Sequence, residues 1–257
     1  MMQIHAVPAF RDNYIWVMAA EGRAAVVDPG DAAPVEAFLA ARGLALTAIL
    51  ATHHHADHVG GLTALAERWK CPAFGPATER VPGLTRSLRE GERVQVPGLD
   101  AELDVLDIPG HTAGHIAFVR TGNDPLLFCG DTLFACGCGR LFEGTPRQMV
   151  TSLAKLAALP PATRVFCGHE YTLANIAFAQ SVEPGNARLG ERRAREAAKR
   201  ERGEPTLPST IGEELATNPF LRWDAPEVIA AAGRRAGHEL KDPVEVFAEI
   251  REWKNNA

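Results

Sequence analysis

The segment TAILATHHHADHVGG constrains this chain more than any other. It places four histidines and an aspartate in the six positions from His53 to His58, directly after an apolar run that reads as a buried strand. On extended backbone alternate side chains point the same way, so His53 and His55 share one direction. Asp57 and His58 fall on the turn into a helix predicted to begin near Val59 or Gly60, and they face a second point in space. So many imidazoles at one strand end would waste solvation, and would repel one another on protonation, unless they shared a cation. One loop can therefore feed two neighbouring metal ions.

Three further segments repeat the design: DIPGHTAGH supplies His111, LLFCGDTL supplies Asp131 and RVFCGHE supplies His169, each just after an apolar strand. The carboxyl ends of strands are where open α/β sheets bind ligands. Two more imidazoles and a carboxylate, which can bridge two cations, extend the set. His115, in the same GHTAGH segment, reads as a hydrogen-bonding support rather than a ligand.

Short apolar runs such as NYIWVMA, RAAVVDPG and HIAFVRTG, ended by Gly, Pro or Asp, predict strands through the first two thirds of the chain. DAAPVEAFLAARG and TPRQMVTSLAKLAAL predict the helices that cover them. An α/β layered domain over 1–170 is the expectation. Over 171–257 the strand signal almost vanishes, and a smaller helical domain is expected. The basic run 188–202 is threaded with Glu191, Glu196 and Glu201, as on a solvated helix face.

A net charge of -5 argues against a large nucleic-acid footprint. No stretch reaches the roughly 18 apolar residues of a membrane span, and the N-terminal residues lack the marks of a secretory signal, so a cytoplasmic protein without a membrane partner is expected. The five cysteines predict no disulfide framework: Cys129 and Cys167 fall in buried strands, Cys136 and Cys138 in a glycine-rich loop.

The order THHHADH, GHTAGH, GDTLF, CGHEY resembles the metallo-β-lactamase superfamily, and most closely its hydroxyacylglutathione hydrolases, or glyoxalase II, over nearly the whole chain. The resemblance implies an αββα sandwich with a smaller C-terminal α-helical domain. It implies that His53, His55 and His111 hold one metal, that Asp57, His58 and His169 hold a second, and that Asp131 bridges them; Asp57, His58 and Asp131 are then the catalytic residues. His54 is not a ligand in that pattern. Two divalent ions are implied, zinc foremost, with iron or manganese suited to the same donors.

GCGRLFEGT and HEYTLAN are similar to the stretches in which that family meets glutathione. Arg140 and Tyr171 would line the peptide site, with Phe142 standing where animal members carry tyrosine, and Arg251 and Lys254 of IREWK completing it. Glutathione offers two carboxylates to such cations. The implied reaction is hydrolysis of the thioester of an S-(2-hydroxyacyl)glutathione, chiefly S-lactoylglutathione, to glutathione and D-lactate, the second step of methylglyoxal detoxification. Two metals sharing a water would lower its pKa toward about 7, making a hydroxide nucleophile, and a thiol of pKa about 8.5 departs without a strong general acid. A monomer is the default expectation. A β-lactamase, a one-iron persulfide dioxygenase, a tRNA-processing nuclease and a metalloprotein with an idle site remain alternatives, the IREWK tail separating the first two from a glutathione thioesterase.

Overall fold

In the computed structural model, which describes residues 2–257, the chain forms two compact units. Of the described residues, the first comprises those up to Asp107 together with 112–130 and 166–169. Its leading sheet holds β1 (Gln3–Ala9), β2 (Asn13–Ala20), β3 (Arg23–Val27), β4 (Ala45–Leu50), β5 (Ala73–Pro76) and β6 (Arg86–Leu88), in that spatial order. The β1–β2 and β2–β3 pairs are antiparallel, and the remaining pairs are parallel. The β3–β4 and β4–β5 pairs need crossovers, supplied by α1 (Ala32–Arg42) after β3 and by α2 (Ala56–Val59) and α3 (Leu62–Trp69) after β4. A second, antiparallel sheet runs β7 (Arg93–Gln95), β8 (Glu102–Asp107), β9 (Ile116–Arg120), β10 (Leu126–Gly130).

Strand β2 shows why the first unit is layered. NYIWVMAA is buried on both faces: Ile15 and Val17 join the core beneath α1 and α3, while Trp16 turns the other way, donates to the Cys167 carbonyl at 2.9 Å and meets the Phe166 ring edge-on. An unbroken apolar run is what a strand covered on both sides requires.

The helix expected near Val59 or Gly60 instead starts at Ala56 and breaks before Leu62. The cause is close backbone contact. A Cβ on Gly60 would stand 2.6 Å from the Gly30 carbonyl oxygen, and one on Gly61 would stand 2.5 Å from the Ala32 nitrogen. The two glycines let the chain pass but cost helix continuity.

The second unit comprises residues 108–111, 131–165 and 170–257. It contains the hairpin β11 (Leu133–Phe134) and β12 (Gly137–Cys138), then α4 (Pro146–Ala157), whose N-terminus is closed by a reciprocal Thr145–Gln148 capping box. Strand β13 (Arg164–Cys167) contributes Arg164 and Val165, which pair with β14 (Ser209–Thr210). The rest is helical: α5 (Thr172–Val182), α6 (Ala187–Glu201), α7 (Ile211–Thr217), α8 (Pro226–Ala236) and α9 (Pro243–Asn255). Phe178, Phe220, Phe247 and Trp253 pack ring against ring here, Phe178 stacked on Phe220 and the other two pairs edge-on.

Two expectations are corrected here. The basic run is not wholly solvated: on α6, Arg192 is 2% and Glu196 4% exposed. Arg192 donates to Glu214 on α7 at 2.6 Å, so one cation of the run has been drawn into the helical core by a buried carboxylate. Cys138 lies on β12 rather than in a loop, while Cys136 sits in the turn before it as expected; like the other three cysteines, both are buried.

Candidate metal centre

Within the first unit, β3, β4 and β13 end together, and the residues just past them converge. Asp57, His58 and His169 each present a donor atom within 4.8 Å of the others. The Nε2 atoms of His58 and His169 both lie 3.6 Å from Oδ2 of Asp57. His58 and His169 are buried, whereas the Asp57 side chain is 43% exposed. Two imidazole nitrogens and a carboxylate turned toward one point, on a half-open face, form a donor set suited to a divalent cation.

What holds these rings is a group of residues that reading the sequence passed over. Asp28 follows β3 in the left-handed region at φ 53°. Its carboxylate accepts from the Thr52 backbone N–H and hydroxyl, each at 2.7 Å, and lies 3.1 Å from Nδ1 of His58. Asp12 stands 2.8 Å from Nδ1 of His169, and Asn13 donates to Asp57 Oδ2 at 3.0 Å. In each case a carboxylate on Nδ1 turns Nε2 toward Asp57, which fixes ring orientation and raises donor basicity. Asp28 is also near His53 and His58, but its oxygens are already engaged by Thr52 and His58, so it acts as support. The signals were present in VVDPG and RDNY, where an acidic residue closes or opens a strand.

His53 and His55 sit together as expected, with Nε2 of His53 3.2 Å from Nδ1 of His55. His53 is fully buried, its Nδ1 is 3.0 Å from the Thr52 hydroxyl, and the His115 ring stacks on it at 4.5 Å. His54 points elsewhere, 2.9 Å from Glu79.

The second unit carries His111 and Asp131. Nε2 of His111 lies 3.5 Å from Oδ2 of Asp131, and its Nδ1 is 2.9 Å from the Arg140 carbonyl. Both residues open onto a cavity of about 490 Å³ that is also lined by Arg140, Phe142, Tyr171, Arg251 and Lys254. Phe142 is 63% exposed, its ring edge-on to His111 at 5.2 Å. Arg251 is buried and donates to the Cys138 carbonyl at 2.9 Å. Burial, reinforced by the Arg251 charge, lowers the Lys254 ammonium to about 8.

Comparison with known proteins agrees with this geometry. The family model "Metallo-beta-lactamase superfamily" matches residues 9–169 and "Hydroxyacylglutathione hydrolase C-terminus" matches residues 170–257. The hydroxyacylglutathione hydrolase of Alkalilimnicola ehrlichii is 59% identical, with 100% of both chains covered. That of Nitrosomonas europaea is 52% identical over 100% of this chain and 97% of its own. The crystal structure of ETHE1 from Myxococcus xanthus superposes with a TM-score of 0.68 at 26% identity, covering 99% of this chain and 91% of the other. The fold and the histidine-rich site thus define a metallo-β-lactamase-type protein with a C-terminal helical part. The chain belongs to the metallo-β-lactamase superfamily and, within it, to the hydroxyacylglutathione hydrolase family.

Proposed function

We propose that the protein hydrolyses the thioester of S-(2-hydroxyacyl)glutathione, chiefly S-lactoylglutathione, releasing glutathione and D-lactate in the second step of methylglyoxal detoxification. The observation that carries this reading is the cavity of about 490 Å³ in which His111 and Asp131 share one space with Arg140, Tyr171, Arg251 and Lys254. Metal-type donors and cations for a peptide's carboxylates stand in one chamber there. The family match over 170–257 supports glutathione over a lactam or RNA substrate.

The donor set fits two divalent ions, for which zinc is the first candidate and iron or manganese the next. His53, His55 and His111 would hold one, Asp57, His58 and His169 the other, and Asp131 would bridge. When bound, such ions acidify a water toward neutral pH and polarise a carbonyl. In this reading Asp57, 43% exposed and held by Asn13, orients the attacking water, with His58 and Asp131 completing the catalytic set. Arg140 and Lys254 pair with the glutathione carboxylates, Tyr171 and Phe142 flank the peptide, and Arg251 holds the Cys138 strand in place as well as adding charge. The thiol leaves as thiolate, so no strong acid is required of the chain. The division of labour near residue 170, a monomeric state, a cytoplasmic setting and the lack of a nucleic-acid or membrane partner belong to the same proposal. Among the described residues no helix is long and apolar enough to cross a membrane.

The test is the kinetics of Arg140→Ala and Lys254→Met on S-lactoylglutathione. Loss of a charge-assisted hydrogen bond, about 1.5–3 kcal/mol, should raise KM roughly 10–100-fold while leaving kcat nearly unchanged. An unchanged KM in both variants would overturn the assignment of the peptide site.

A further inference from the structure

The Glu79 carboxylate, in the connection between β5 and β6, is used by none of the proposed chemistry, yet its side chain is only 3% exposed. Oε2 lies 2.9 Å from Nδ1 of His54. Oε1 accepts the hydroxyl of Thr112, which is itself fully buried, and the backbone N–H of Gly114 at 3.0 Å. A Cβ on Gly114 would fall 2.7 Å from Cγ of Glu79, so only glycine lets the carboxylate approach this closely. A buried carboxylate is expensive unless its oxygens are satisfied. Here both oxygens are used, and they join two stretches that carry proposed metal ligands. His54 lies between His53 and His55, and Thr112 directly follows His111.

We propose that Glu79 is a positioning residue for the metal centre, locking the histidine loop to the Thr112–Gly114 turn so that His53 and His55 are preset for a cation. The inference rests on reading this site as a metal centre. In this reading Glu79 is not itself a ligand; it acts through His54 and Thr112. Holding the backbone on both sides of the donors lowers the ordering cost of binding, and supports of this kind typically contribute 10–100-fold in metal affinity or activity.

The experiment follows zinc release from the full-length, zinc-loaded protein to an excess of chelator, together with the melting temperature of metal-free and zinc-loaded forms. Glu79→Ala should release zinc roughly 10–100-fold faster, and the rise in melting temperature that zinc confers should shrink. Glu79→Gln, whose amide oxygen can still accept from Thr112 and Gly114, should fall between it and the parent, as should Thr112→Val. A purely structural role would lower the metal-free melting temperature and leave both zinc readouts unchanged; that result overturns the proposal. Should Glu79→Ala fail to fold, Glu79→Gln and Thr112→Val decide alone, and parental zinc release in both overturns it. Faster zinc release in a protein inert toward glutathione thioesters would uphold Glu79 while refuting the substrate. A parent protein that takes up no zinc, iron or manganese would refute both.

Discussion

Asp12 and His169, 157 residues apart in the chain, meet at 2.8 Å through a carboxylate oxygen and Nδ1. The turn between β1 and β2 places Asp12 there, and it does so with Phe10 held at φ 50°, a conformation that an aromatic residue adopts only under constraint. The pairing leaves Nε2 of His169 directed at Asp57. Asp12→Asn should therefore lower metal affinity or kcat roughly 10–100-fold with the fold intact. Metal content after dialysis, with a circular dichroism spectrum, checks it; full metal retention would show that His169 needs no such partner.

The helical unit depends on a buried ion pair. Arg192 stays protonated: burial opposes its charge, but the Glu214 carboxylate more than offsets that and raises its pKa. Glu214 also accepts the Cys136 backbone N–H at 2.7 Å and Asn218 at 3.0 Å. Arg192→Met leaves that carboxylate buried without its cation and should cost about 3–5 kcal/mol. Denaturant unfolding measures it, and a loss below about 1 kcal/mol would mean that the network relaxes around the gap.

Substrate affinity should vary with pH through Lys254. With its pKa lowered to about 8, the side chain is a cation below that pH and loses its charge above it. The groups beside it are Arg251, Arg140, Cys138 and Cys136, and burial raises the pKa of both thiols. KM for an anionic glutathione thioester should rise as pH climbs through about 8, and Lys254→Met should abolish that rise. A KM independent of pH from 7 to 9 in the parent would contradict it.

The proposed donors stand out in the sequence because metal ligands cluster at strand ends and a strand's period of two fixes which histidines share a direction. His53 and His55 show this, as do His111, Asp131 and His169, each just past an apolar strand. The supports were not legible. Asp12, Asp28 and Glu79 are single acidic residues whose roles arise from contacts 24 to 157 positions away, and the strand-edge position of Asp12 and Asp28 in RDNY and VVDPG does not by itself separate them from ordinary turn carboxylates. The break at Gly60 and Gly61, and the burial of Arg192, likewise come from tertiary packing that overrides helix periodicity and charge pattern. Layer order was readable from the alternation of strand and helix signals, whereas β14, two residues long, carries too little pattern to be seen.

Removing the proposed bridge should be the most damaging single change at the site. Asp131 is 6% exposed and 3.5 Å from His111, so Asp131→Ala should lose metal and activity together while far-ultraviolet circular dichroism is preserved. Undiminished turnover with full metal content would sink the ligand assignment.

The central claim is tested most directly by steady-state hydrolysis of S-D-lactoylglutathione by the purified protein, with metal content determined on the same sample. The account predicts rapid turnover with about two divalent ions per chain. Two ions without turnover would contradict the substrate, and turnover that survives complete removal of metal would contradict the mechanism.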